Sequence, residues 1–294
     1  MATLRELKER IGSVSSTQKT TSAMKMISSA KLHGATARLV RLTPYRNMVQ
    51  SVIGHLLATD VEFSSPLIES REVKHLCLVV FGSDDGLCGG FNINIFKGLL
   101  ETIEKARAEY GRQLQVTVIP VGKKMLNAVR KIESADLHVL EVPYMHTRST
   151  ADNLHDFTHM LRTRFTGCEF DRVDVVYMHF KSSSHQRLVS EQLLPVSSAS
   201  LAGDSNKTDC SPCIFEPDAN SIFNSVLPLH IRATMQQVFT ESAASEQASR
   251  VMAMQAASDN AKDLLDDLNL EYNKLRQQGI TTELLDILGG QVER

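Results

Sequence analysis

Gly82-Ser-Asp-Asp-Gly-Leu-Cys-Gly-Gly-Phe-Asn92 is the stretch whose residue types best suit chemistry, a glycine-rich turn between a predicted strand and a predicted helix. In an α/β sheet, backbone amides and a helix N-terminus at such a turn can hold a phosphate. The spacing matches neither G-x-G-x-x-G nor G-x-x-x-x-G-K-[ST], and the turn supplies no lysine for phosphate oxygens. Asp84 and Asp85 would also repel an anion, so the turn reads as structural. Cys210-Ser-Pro-Cys213 has the spacing of a redox or metal pair. A structural zinc wants four ligands, and no second Cys or His pair at ligand spacing accompanies it. The pair also lies in a polar loop with Pro212 and Pro217, whereas a thioredoxin-type motif opens a helix after a strand. Two ordinary thiols are the first reading and a reversible disulfide the second.

The ten histidines form no H-E-x-x-H or comparable set. His155 and His159, four apart on a predicted helix, lack a third ligand and read as surface residues. Ser182 to Ser184 beside His185 resembles a nucleophile and base, but no nucleophile elbow surrounds them, so a polar hairpin turn is expected. From these motifs we expect no catalytic set, no metal and no cofactor.

The elements that would position these residues follow from periodicity. Leu4, Leu7, Ile11 and Val14, then Met24 and Ile27, mark one helix face in a segment that meets no proline before Pro44. One long helix is expected, with Gly34 or Pro44 as the place for a kink or break. Val251, Met254, Ser258, Ala261, Leu265, Leu268, Tyr272 and Leu275 alternate steps of three and four, a sustained heptad seam whose small members admit a close partner. A helix over 222–286 would be on the order of 95 Å long, against about 40 Å for a domain of the intervening size. Such a helix would project beyond its domain.

Between the ends, strands are predicted at His75 to Phe81, Leu114 to Val121, Leu137 to Tyr144 and Val173 to Phe180, with Arg187 to Val196 as a final one. Helices are predicted at Asn94 to Tyr110, Lys123 to Lys131 and Asn153 to Phe165. This alternation implies βαβ units and a mostly parallel sheet. The fold class is therefore α/β: a long antiparallel coiled coil of the N- and C-terminal helices plus a central Rossmann-like domain. Its parts are residues 1–57, 73–221 and 222–288, with an exposed polar loop over 197–220.

Charge is distributed as the helices are. Residues 1–46 hold nine basic side chains against two acidic, +7, and residues 241–294 hold ten acidic against five basic, -5, within a chain of 294 residues at net -2. Opposite ends favour pairing with each other. The alternative is that each helix packs separately on the central domain. Of 16 Phe and Tyr, only Tyr45 and Tyr272 lie in those two end segments, which suits slender paired helices better than a thick core. The near-neutral total argues against a nucleic-acid binder, and the basic segment has one aromatic for stacking and an apolar face suited to a partner helix. No apolar run reaches the roughly 18 residues of a membrane span. The first residues lack the features of a signal or transit peptide, and five scattered cysteines do not resemble a secreted disulfide framework, so a reducing cytoplasm is expected.

The run Ile11-Gly-Ser-Val-Ser-Ser-Thr-Gln-Lys-Thr-Thr-Ser-Ala-Met-Lys-Met-Ile27, continuing through Leu32, resembles the start of the F-type ATP synthase gamma subunit family. So do Ser245-Glu-Gln-Ala-Ser-Arg-Val-Met-Ala-Met254, Asp259-Asn-Ala261, Tyr272-Asn-Lys-Leu-Arg-Gln277, Ile280-Thr281 and Glu283 to Gly290. Asp85-Gly-Leu-Cys-Gly-Gly90 with Asn92 and Asn94 is a third match, in the right order. The resemblance implies a central-stalk rotor, not itself catalytic, that couples proton translocation to ATP synthesis or hydrolysis on beta subunits and regulates ATPase activity and proton flow. Implied partners are a ring of three alpha and three beta subunits, epsilon and the c-ring, with no nucleic acid. The implied place is the cytoplasmic side of a bacterial inner membrane, held peripherally by partners. By position, the resemblance gives Arg276 and Gln277 a contact with a beta-subunit loop, and Met24 and Arg250 a place near the coupling interface. It makes Leu284, Leu285, Ile287 and Leu288 an apolar bearing tip. Cys210 and Cys213 fall where a chloroplast form carries a regulatory dithiol insert, here short and with two intervening residues, and thiol regulation of this pair is what the resemblance implies. The competing reading is a nucleotide- or small-molecule-binding α/β enzyme with helical oligomerisation arms.

Overall fold

A computed structural model describes residues 3–57, 63–111, 113–197 and 215–292, the last seven of these by backbone alone. Helix α1 (Leu4–Leu57) starts at a capping box. Thr3 Oγ1 accepts from Glu6 N–H at 3.3 Å while Glu6 Oε2 accepts from Thr3 N–H at 2.8 Å, which satisfies two donors that a helix start leaves open. The helix continues through Gly34 and Pro44 without the break that those residues suggested. The last helix, α5 (Ala219–Val292), likewise contains Pro228. Asp218 caps it, accepting from Ser221 N–H at 2.9 Å and Ser221 Oγ–H at 2.7 Å.

Between them lie β1 (His75–Phe81), α2 (Phe91–Tyr110), β2 (Gln115–Val121), α3 (Lys123–Val129), β3 (Leu137–Val139), α4 (Ala151–Thr166), β4 (Arg172–Phe180) and β5 (Gln186–Leu194). One turn of 3₁₀-helix, Arg130–Ile132, follows α3. The five strands form one sheet in the order β3-β2-β1-β4-β5, parallel except for the β4/β5 hairpin. Helices cover both faces, so β1 reads as a nearly unbroken apolar run. Cys77, Val79 and Phe81 point to one side, against α4, the end of α1 and the first half of α5. Leu76, Leu78 and Val80 point to the other, against α2 and α3. The expected strand Leu137 to Tyr144 is shorter than predicted. Leu140 N–H still bonds Val118 O at 2.9 Å, but Pro143 has no donor to continue the ladder.

The chain divides into two compact units. One comprises residues 30–249 and contains the sheet and both core clusters. The other comprises residues 1–29 and 250–294. This second unit pairs the start of α1 with the end of α5 as an antiparallel coiled coil. Met254, Ala261 and Leu268 are buried, and Val251, Ser258, Leu265, Tyr272 and Leu275 are half-buried, which is the predicted seam. The facing stripe of α1 is Leu7, Ile11, Val14, Gln18, Thr21, Lys25 and Ser28, in alternating steps of four and three. Leu4 and Ile27, assigned to this face from hydrophobicity, are exposed instead. Carrying the 3.5-residue period on from Val14 selects polar residues, which an apolar pattern does not flag.

Candidate functional site

The glycine-rich turn is closed by its own side chains. Ser83 N–H donates to Asn92 Oδ1 at 3.1 Å, Asn92 Nδ2 donates to Ser83 Oγ at 2.7 Å, and Ser83 Oγ donates to Asp85 O at 2.8 Å. Asp84 accepts from Lys123 N–H at 3.1 Å through one oxygen, and from Thr147 N–H at 3.1 Å and Thr147 Oγ1 at 2.5 Å through the other. Burial works against ionisation of Asp84, but the bonds from Thr147 and Lys123 outweigh it and hold the carboxyl below its usual range. Asp85 pairs with Arg148 at the surface. The turn thus ties β1 to α3 and to the segment before α4, and its acids are engaged with the protein.

The other sequence candidates stay apart. Ser184 Oγ lies 3.1 Å from His185 Nδ1 in the exposed β4/β5 turn, which is closed by Lys181 N–H to His185 O at 3.3 Å. This is the polar hairpin turn that was expected. His155 and His159 are both exposed. Among the described residues no group of three or more His, Cys, Asp or Glu could hold a metal ion. Cys210 and Cys213 lie outside the described residues. A cavity of about 890 Å³ within the larger unit has Lys31, Arg38 and Arg41 on one wall and Thr147 and Arg148 on another. No His or Cys lines it.

The residues given a partner-contact role all belong to the smaller unit. Met24 is half-buried at the edge of the α1 stripe, and Arg250 is buried. Arg276 and Gln277 follow Leu275, the last seam position, and are exposed. Leu284 and Leu285 are exposed on α5, and Ile287 and Leu288 belong to the same helix with only their backbone described. Of these residues Arg276, Gln277, Leu284 and Leu285 are exposed, all on the C-terminal part of α5.

Sequence reasoning missed a part-buried polar chain in the larger unit. Arg46 Nη1 on α1 donates to Gln237 Oε1 at 2.9 Å, Gln237 Nε2 donates to Glu241 Oε1 at 2.6 Å, and Glu241 Oε2 lies 2.6 Å from His179 Nδ1 on β4. The available signal was Gln237 and Glu241 at i,i+4 beside the apolar stripe Ile231, Met235 and Val238.

A sequence model of the family described as ATP synthase matches residues 3–292. The ATP synthase gamma chain of Phocaeicola vulgatus is 40% identical over 297 residues, covering 99% of this chain and all of that one. This chain belongs to the ATP synthase gamma chain family. The gamma chain of Bacteroides thetaiotaomicron is 37% identical over 302 residues and covers both chains completely. Among solved structures, the rotor of Euglena gracilis mitochondrial ATP synthase matches with a TM-score of 0.62 and 20% identity, over 94% of this chain and 98% of that one. The central stalk and c-ring structure of Tetrahymena thermophila mitochondrial ATP synthase contains a chain with a TM-score of 0.57 and 22% identity, over 81% of this chain and 99% of that one. At such identities these two matches establish the gamma-chain fold.

Proposed function

We propose that this chain is the central-stalk rotor of an F-type ATP synthase, coupling proton translocation through the membrane sector to ATP synthesis or hydrolysis on the beta subunits. The observation that carries the reading is full-length membership of the gamma chain family in a chain whose two ends pair as a coiled coil. Two paired helices resist bending and twisting better than one. An asymmetric shaft biases three otherwise identical sites through the different contacts it makes with each, so it needs no catalytic group of its own. In this reading the partners are the ring of alpha and beta subunits, epsilon and the c-ring. Arg276 and Gln277, exposed beyond the seam, meet a beta-subunit loop; Met24 and Arg250 lie near the coupling interface; Leu284, Leu285, Ile287 and Leu288 form the bearing tip.

None of the described helices is long and apolar enough to cross a membrane. Attachment to the cytoplasmic face of a bacterial membrane then runs through the partners. The test is co-purification from the native membrane. A rotor brings down an assembly with strong ATPase activity and has none alone. Turnover or nucleotide binding by the isolated chain, with no such assembly recovered, would overturn the proposal in favour of an enzyme.

A further inference from the structure

Arg46 on α1, Glu191 and Gln192 on β5, and His230 and Thr234 on α5 line a cavity of about 20 Å³ within the larger unit. Three of these side chains bring an unpaired polar atom to it. Arg46 Nε, His230 Nδ1 and Thr234 Oγ1 are buried and have no hydrogen-bond partner within the protein. His230 and Thr234 are each more than nine-tenths buried. A buried polar atom left unsatisfied costs about 1–3 kcal/mol, so three on residues around one cavity favour a shared partner.

The orientation of Thr234 supports the same conclusion. Thr240, Thr281 and Thr282, the other threonines of α5, return their hydroxyls to the carbonyl four residues earlier, at 2.7–2.9 Å. Thr234 does not use this local bond, and its hydroxyl is left for the cavity. The remaining polar lining groups already have partners: Gln192 Nε2 donates to Pro195 O at 2.6 Å, and Glu191 Oε2 accepts from Tyr177 OH at 3.3 Å.

We infer that this cavity binds one water molecule, which accepts from Arg46 Nε–H and donates its two hydrogens to Thr234 Oγ1 and His230 Nδ1. Holding a single water takes roughly 10–15 Å³ or more and two to four polar partners, and the site offers both. Charge favours a neutral ligand over an anion. The Arg46 guanidinium is opposed by the Glu191 carboxylate, and burial together with Arg46 pushes the His230 pKa down to about 4, so the imidazole is neutral near pH 7. With Nδ1 accepting, the imidazole proton sits on Nε2.

The water completes a polar chain. Arg46 donates to it through Nε and to Gln237 through Nη1, and from Gln237 the bonds continue to Glu241 and His179. One solvent molecule thus anchors α1 to α5 at the point where both pack beside β5, and the side-chain bonds extend that anchor to β4. Every side chain that lines the site belongs to this chain.

The test is a structure of the full chain, alone or within its complex, at a resolution that shows ordered solvent. One density peak at about 2.7–3.2 Å from all three atoms is expected. An empty cavity, or a peak bonded to only one of the three, overturns the site. Crystals of the same protein grown with bromide in place of chloride distinguish the ligand, because anomalous scattering at this position would mean an anion. In Thr234→Val the peak is expected to disappear and in Thr234→Ser to remain. A peak unmoved by Thr234→Val would remove Thr234 from the site.

Discussion

Glu241 of α5 and His179 of β4 meet at 2.6 Å, with the glutamate side chain buried and the imidazole partly exposed. The carboxylate also receives Gln237 Nε2, so a single acid joins the long helix to the sheet. Glu241→Ala is expected to cost about 2–3 kcal/mol, since it removes a charged acceptor from two donors at a buried position. Hydrogen exchange of the complex reads the effect as faster exchange in β4 and the neighbouring turns of α5. Unchanged protection in both would show that the pair contributes nothing to their docking.

His230 predicts an acid sensitivity. Burial, then the Arg46 guanidinium, lowers its pKa from 6.5 to about 4. As pH falls the unfolded chain takes up this proton first, so the contribution to stability rises with pH between about 4 and 6.5 and is largest above that window. The full shift corresponds to about 3 kcal/mol. Urea unfolding of the purified chain, followed from about pH 7 to about pH 4, should show a steeper acid loss than His230→Gln does. Parallel curves for the two proteins would exclude the histidine as the cause.

The seam on α5 separates leucines that are close in sequence. Leu268 is 4% exposed and Leu270 is 71% exposed. Leu268→Ala should therefore destabilise the paired helices by about 2–4 kcal/mol and Leu270→Ala by less than about 0.5. Amide exchange over 261–275 in the complex compares them, and equal effects would mean that the seam is misplaced.

Gly122 carries a backbone constraint. Its φ is +106°, and a Cβ there would lie 2.8 Å from Ser83 O, in the turn that ties β1 to α3. Gly122→Ala should cost upwards of about 2 kcal/mol and reduce the yield of assembled complex. Gly12, inside α1 with nothing within 4 Å of the methyl that alanine would add, is the control, where the substitution should gain about 0.5–1 kcal/mol. Normal assembly and stability of the Gly122 variant would contradict the strain.

Arg276 and Gln277 test the proposed partner contact. The double variant Arg276→Ala, Gln277→Ala removes exposed groups beyond the seam, so assembly should survive while coupled ATP synthesis falls several-fold, by about 1–2 kcal/mol of lost transition-state contact. Synthesis at the unaltered rate would withdraw the role.

The amino-acid sequence by itself determined the strands covered on both faces, the helices between them and the C-terminal seam. Each is a repeated pattern in which every period adds another apolar residue in phase, as in Leu76 to Phe81 or Met254 to Leu275. It also carried the three motifs that placed the chain in its family. Tertiary structure decided the rest, because those features depend on residues distant in sequence. The α1 stripe passes through Gln18, Thr21, Lys25 and Ser28, which hydrophobicity does not mark and only a partner helix selects. Asp84 could be read as repelling an anion, yet its bonds depend on Thr147, brought there by the start of α4. His179 and Glu241 are 62 residues apart, and Arg46 and Gln237 are 191 apart. A local pattern records which face of an element is apolar; which polar atoms meet once those faces are buried is set by how the elements pack.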